Sequence, residues 1–262
     1  MNILDKIIAH KVIEIAAAKE KISAVQLMQS DNFFRQTFSL KQFLNDETKT
    51  GIIAEFKRQS PSKGVINAAA DVVEVTNAYT LHGASCLSVL TDEHFFGGSV
   101  NDLKRARVNT IPILRKDFII DEYQIIEAKA MGADVILLIA ACLTPQQVKE
   151  LATFAKSLGL EVLLEIHTED ELAHICEETE IIGVNNRNLK TFVVDINRSI
   201  ELSKKIPADK IKIAESGINN VETISIFKHA GFKGFLIGEN FMSQPDPTIA
   251  FANFVHQLKA FN

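Results

Sequence analysis

The chain has no tryptophan and only three cysteines among its 262 residues. Cys86, Cys142 and Cys176 are odd in number and far apart, so they make neither a CxxC pair nor a disulfide framework. That usage suits a reducing compartment, and a cytoplasmic location is the expectation. An excess of positive charge is also missing. The formal net charge is −5 and no basic arm occurs, which argues against nucleic acid as a partner. Asp5, Lys6, Lys11, Glu14 and Glu20 interrupt the start of the chain, so no signal peptide is expected there. No stretch approaches the roughly 20 apolar residues that a membrane span needs, and no membrane partner is expected. What is present is 47% apolar and 23% charged residues, an ordinary globular balance with room for one large barrel or two smaller domains.

The stretch around which the rest is organised is IAEFKRQSPSKG, residues 53–64. It opens as a buried strand, Ile52-Ile53-Ala54, then places Glu55 and Lys57 two positions apart. Side chains alternate along a strand, so this carboxylate and this ammonium share one face. Ser60-Pro61-Ser62-Lys63-Gly64 follow as turn formers rich in hydroxyls and amides. A strand-end ion pair beside a solvated loop would explain the pair by itself. Burying opposite charges is nevertheless costly for packing alone, which makes the stretch a site candidate.

Residues 3–20 carry Ile3, Ile7, Ile8, Val12, Ile15 and Ala16 at helical spacing, which predicts an amphipathic helix lying on the body that follows. Residues 39–45 predict a second short helix, with a mixed polar segment between the two. Residues 1–50 are too few for a core and read as a helical extension packed on one following domain that completes residues 1–262. From residue 51 apolar runs recur at 51–57, 86–91, 111–116, 134–140, 160–167, 181–186, 210–215 and 234–238. Helical patterns alternate with them at 70–82, 99–107, 121–131, 144–158, 169–178, 195–205, 219–229 and 246–260. Gly83, Gly132, Gly159 and Gly231 fall near helix ends, and Thr144-Pro145 suits a helix start. Strict alternation implies a parallel sheet, and eight units close a (β/α)₈ TIM barrel, an α/β fold. A doubly wound open sheet is the rival. It is disfavoured because no GxGxxG follows the first strand and polar residues stand at nearly every strand end.

In a barrel, chemistry collects at the C-terminal strand ends. The first supplies Glu55 and Lys57; the second runs into Thr91-Asp92-Glu93-His94-Phe95-Phe96-Gly97-Gly98; the third ends in Arg115-Lys116-Asp117-Phe118. The fourth is uncharged at Leu137, Leu138 and Ile139, the fifth ends in Glu165, and the sixth in Asn185-Asn186-Arg187-Asn188. The seventh ends in Glu215-Ser216-Gly217 and the eighth in Gly238-Glu239-Asn240. Lys116 and Glu165 suggest a general acid and base, since walling in lowers a lysine pKa and raises a glutamate pKa. Gly217 and Gly238 would expose backbone amides where barrels hold phosphate. Phe96, Phe118, Leu137 and Ile139 suggest an apolar wall for a flat substrate. Lys57, Arg58, Lys63, Arg115, Lys116 and Arg187 predict a locally positive mouth for a small anionic substrate.

Each residue alone has a bland reading: a surface lysine, an ion-paired glutamate, core phenylalanine, core cysteine. Glu165, His167 and His174 raise the idea of a metal, but no second ligand cluster joins them, so no metal is expected. The bland readings explain poorly why such residues recur at so many strand ends.

Taken together the motifs resemble the indole-3-glycerol phosphate synthase family of tryptophan biosynthesis. The resemblance runs through the N-terminal extension, IAEFKRQSPSKG, LTDEHFFGGS (90–99), PILRKDFIID (112–121), ADVILLIAACL (133–143), LLEIH (163–167), IGVNNRNL (182–189), IAESGI (213–218) and FLIGENFM (235–242). It implies a cofactor-free decarboxylating lyase that closes an indole ring on 1-(2-carboxyphenylamino)-1-deoxyribulose 5-phosphate, releasing CO₂ and water, with the N-terminal helix covering the barrel mouth and not the bottom. By this resemblance Lys116 is the general acid, Glu165 its partner in dehydration, and Lys57, positioned by Glu55, the contact to the departing carboxylate. Asn185 and Ser216 would lie near substrate hydroxyls, Arg187 would add charge complementarity, and Glu215 fills a further polar position. Gly217 and Gly238 match the phosphate loops, with Ser60 assisting. Some members carry a hydroxyl residue after the second of these glycines; Glu239 stands here, so contact through backbone is expected. With no tryptophan, any stacking on the ring falls to Phe96 and Phe118. The chain resembles the form without a fused isomerase domain, and its oligomeric state stays open, a monomer among the options. A Schiff-base lyase with Lys116 as nucleophile, and a silent phosphate-binding module, are the competing functions.

Overall fold

The computed structural model describes residues 3–61, 63–188 and 193–261; Ser62 and Leu189, named in motifs above, lie outside these. Eight strands form the central sheet: β1 (Ile52–Phe56), β2 (Cys86–Leu90), β3 (Ile113–Lys116), β4 (Val135–Ile139), β5 (Glu161–Ile166), β6 (Ile181–Asn185), β7 (Ile211–Glu215) and β8 (Gly234–Ile237). Each pairs in parallel with its neighbours in sequence order, and β1 pairs with both β2 and β8, so the sheet closes into a barrel. All eight apolar runs are strands because a parallel strand covered by helices is buried on both faces.

Alternation divides the core in two. Outward residues such as Ile52, Ala54, Phe56, Leu138 and Phe235 pack against the helices. Inward residues such as Ile53, Leu114, Val135, Leu137, Leu163 and Ile213 fill the barrel itself. A buried aliphatic or aromatic side chain contributes about 1.5–3 kcal/mol, so both layers are needed to close the ring.

The outer helices are α4 (Val72–Leu81), α5 (Val100–Ala106), α6 (Glu122–Met131), α7 (Pro145–Ser157), α8 (Ile196–Ser203), α9 (Val221–His229), the short α10 (Glu239–Met242) and α11 (Pro247–Phe261), after α1 (Ile3–Lys21), α2 (Ala24–Met28) and α3 (Leu40–Asn45) in the extension. Thr144 caps α7 through a reciprocal box with Gln147, with Pro145 in the first turn. One expected helix is absent. Residues 169–178 hold only a 3₁₀ turn, Asp170–His174. There the His174 ring lies against the Leu143 and Glu171 carbonyls, and Thr179 exchanges hydrogen bonds with the Cys176 backbone, so side chains take groups that a longer helix would use.

The extension does more than cap the mouth. The start of α1 lies over the C-terminal strand ends, where Ile3, Leu4 and Ile7 face the cavity. The chain then runs down the outside. Tyr123 Oη donates to the carbonyls of Ala18 and Ile22 at the end of α1, and Arg35 pairs with Asp134. At the opposite end Leu40 and Leu44 of α3 plug the barrel floor. The expectation of a mouth cover is therefore only half of what the extension does. The polar segment between its helices also holds α2, capped by a Ser23–Gln26 box, and a 3₁₀ turn at Asp31–Phe34.

Candidate active site

A cavity of about 360 Å³ opens at the C-terminal ends of the strands. Inward alternation delivers its side chains: Glu55 and Lys57 from β1, Lys116 from β3, Ile139 from β4, Glu165 from β5, Asn185 from β6 and Glu215 from β7. Lys57 Nζ lies 2.7 Å from Glu55 Oε1, and Lys116 Nζ lies 3.8 Å from Glu165 Oε2. Two glycines make this crowding possible. A Cβ on Gly183 would overlap Glu215 Oε1, and one on Gly238 would come within 2.6 Å of Glu55 Oε1.

Ser60 stands in a two-residue hairpin strand, Gln59–Ser60, paired with Gly64–Val65, and lines the cavity with Phe96 and Phe118, whose ring centroids are 5.9 Å apart. Arg187 enters from the β6 loop. Ser216 and Gly217 follow β7 with φ of 68° and 70°, a left-handed pair rare for serine. Asn186 Nδ2 holds the turn by donating to Ser216 O at 2.6 Å. Gly238, at the mouth end of β8, precedes α10 and borders the same cavity.

Of the residues expected to wall or contact the substrate, Leu137 does not reach the cavity. It sits in the inner apolar layer one step below Ile139, and Leu236 of β8 lines the pocket instead. The positive mouth also needs correction. Alternation turns Arg115 outward, 2% exposed, where it pairs with Asp117 and Glu127. Arg58 pairs with Asp102, and Arg187 and Lys63 each approach Glu239. The cations at the mouth are thus matched by carboxylates.

The family model for "Indole-3-glycerol phosphate synthase" matches residues 4–254. The chain belongs to the indole-3-glycerol phosphate synthase family. Relatives bearing that name include one from Bacteroides thetaiotaomicron, 48% identical over 98% of this chain and 99% of that protein, and one from Bordetella pertussis, 44% identical over 97% and 99%. Among solved structures, one described as native KDPGal has a TM-score of 0.59 at 16% identity, covering 82% of this chain and 96% of its own. A mandelate oxidase mutant with an FMN adduct reaches 0.63 at 13% identity over 80% and 72%. At such identities they share the barrel.

Within this member of the synthase family the protonation states depart from those expected of walled-in groups. Burial would lower the Lys116 pKa, but Glu165, Glu55 and Glu215 surround it and raise it well above its usual range. Burial would raise Glu165, yet Lys116 and His167 hold it far below the usual carboxylate range. Burial drives Glu215 up, and ionised Glu165 beside it drives it further, so Glu215 keeps its proton. Burial opposes Glu55 ionisation as well, but Lys57 and then Lys116 hold its pKa down. Lys116 is thus held as an ammonium among three carboxyl groups.

His167 is a residue to which the sequence assigns no role. Its Nε2 lies 3.1 Å from Glu165 Oε1 and its Nδ1 3.5 Å from Glu171 Oε2. Burial opposes its charge, but the two carboxylates raise its pKa to about 10. Lys11 was missed altogether. In the sequence it reads as one of the polar positions of α1, whereas Ile7, Lys11 and Ile15 form the buried stripe. Their spacing of four was the available signal. Cys86 and Cys142 are quiet core thiols, Cys86 raised by burial and Cys142 pushed up to about 12.

Proposed function

We propose that the chain closes the indole ring of 1-(2-carboxyphenylamino)-1-deoxyribulose 5-phosphate, with loss of CO₂ and water. The observation that carries this reading is the facing pair of charged Lys116 and ionised Glu165, 3.8 Å apart under an apolar cover. The phosphate rests on the amides around Ser216–Gly217 and Gly238, with Ser60 beside it. The carboxylate meets Lys57, which Glu55 orients from 2.7 Å. The aromatic ring lies against Phe96, Phe118 and Ile139. As the ring carbon attacks the ketone, Lys116 gives its proton to the developing oxyanion, and CO₂ leaves past Lys57. Glu165 then takes a proton from the carbon beside the nitrogen, and the new hydroxyl departs as water on a proton from neutral Glu215. Neutral Glu215 donates rather than repels here, and Asn185 and Arg187 hold the sugar hydroxyls and the negative end of the substrate. Residues 1–262 act as one domain, with 1–50 as an extension that completes the mouth and the floor. A reducing cytoplasm fits its three unpaired thiols.

The test is the fluorescence of indoleglycerol phosphate formed by the purified chain from this substrate. Turnover with release of CO₂ is expected. Tight binding without turnover, or a lysine adduct trapped by borohydride, would overturn the reading.

A further inference from the structure

Lys11 has no exposed surface, although it lies on the helix that covers the mouth. Its ammonium has three protons to place and meets three carboxylates: Glu14 at 2.9 Å, Asp92 at 3.0 Å and Asp117 at 2.9 Å. Asp92 and Asp117 belong to the loops after β2 and β3, and both are fully buried side chains. Each of those two carboxylates also holds the backbone of its own loop. Asp92 Oδ1 accepts from the backbone N–H groups of Phe95 at 2.8 Å and Phe96 at 3.2 Å. Asp117 Oδ1, the oxygen that meets Lys11, also accepts from Phe118 N at 2.8 Å, while its Oδ2 accepts from Thr91 Oγ1 at 2.6 Å and from Arg115 Nη2 at 3.0 Å. One ammonium on α1 therefore ties down the two backbone segments that carry the paired rings of the pocket. Next to it, His10 stacks on His94 at 4.4 Å, seating α1 on the same loop.

From this geometry we infer that Lys11 is a positioning residue for the aryl half of the substrate. It sets the separation of Phe96 and Phe118 without touching the ligand. The inference rests on the pocket assignment made above. Burial of a cation by itself is costly, and an ordinary packing position would be filled better by leucine or methionine. A lysine is useful here because it can draw two carboxylates from different strands toward one point. The phosphate end, on β7 and β8, lies outside this network, so the effect of removing Lys11 should be uneven across the ligand.

The test compares two ligands on the full chain by calorimetric titration. One is the substrate with its ketone reduced, 1-(2-carboxyphenylamino)-1-deoxyribitol 5-phosphate; the other is ribitol 5-phosphate, which lacks the ring. Lys11→Met is expected to weaken the aryl ligand about tenfold and to leave ribitol 5-phosphate within about twofold, since only the wall is loosened. Lys11→Arg keeps the charge and the fold but sets a broader head between the two aspartates. It should lose the aryl ligand a few-fold and the sugar phosphate not at all, so the test stands even if the methionine variant does not fold. Equal losses for both ligands, or none for either, would overturn the role of Lys11. A wild-type chain that binds the two ligands equally would overturn the pocket assignment, and the inference with it.

Discussion

At the residue scale, charge state follows from neighbours more than from depth. His167 illustrates this, because burial alone would keep its ring neutral and two glutamates make it a cation. A group with a folded pKa near 10 and an ordinary value near 6.5 contributes stability that is fully present below about 6.5. That contribution is lost as pH rises through about 10. The Tm of the wild-type chain should therefore fall over this window more steeply than that of His167→Gln. Parallel Tm curves for the two proteins would contradict the ion pairs drawn here. His167→Gln should also raise the Glu165 pKa, moving the acid limb of kcat/KM to higher pH. Gly183 shows a steric version of the same dependence. Gly183→Ala would force Glu215 out of its place and should destabilise the fold by about 1–3 kcal/mol in urea titration. A neutral result would mean that Glu215 has room to move.

At the scale of elements, the extension links both ends of the barrel, and its parts can be separated. Removing residues 1–22 takes away α1 and leaves Asp92 and Asp117 without Lys11, while Leu40 and Leu44 still plug the floor. This truncation should raise KM and lower stability. Removing residues 1–45 should cost far more stability, because the floor leucines and the Arg35–Asp134 pair go too. A 1–22 deletion that folds and keeps full kcat/KM would show that α1 has no part in the site. Much of this level was legible beforehand. Doubly covered strands read as apolar runs, and caps such as Thr144 mark themselves. The segment 169–178 was not legible, because tertiary hydrogen bonds from His174 and Thr179 decide its form. The floor plug was hidden as well, since an apolar stripe does not say which end of a barrel it covers. Arg115 and Leu137 were misplaced for a related reason: strand phase decides inside from outside and depth within the barrel, and a list of strand ends carries neither. Lys11 hid behind its own charge.

At the scale of the whole molecule, the ring brings seven strands to one cavity and spreads different chemistry around it. Lys116 and Glu165 face each other from β3 and β5, the rings come from the loops after β2 and β3, and Ser216–Gly217 and Gly238 follow β7 and β8. Inorganic phosphate should therefore raise the Tm in a concentration-dependent way, and a phosphate soak should place the anion on the amides near Gly217 and Gly238. An anion bound elsewhere, with those amides turned away, would contradict that placement. The central claim is that charged Lys116 gives up a proton, whereas Lys57 supplies only charge. Arginine keeps a cation but holds its proton, with a pKa above about 12. The most direct measurement is kcat and KM for Lys116→Arg and Lys57→Arg, each confirmed as folded by circular dichroism. Lys116→Arg should lose roughly 10²–10⁴-fold in kcat with little change in KM, and Lys57→Arg should change mainly KM. If Lys57→Arg abolishes kcat while Lys116→Arg stays within a few-fold of wild type, Lys57 is the proton donor and the account is wrong.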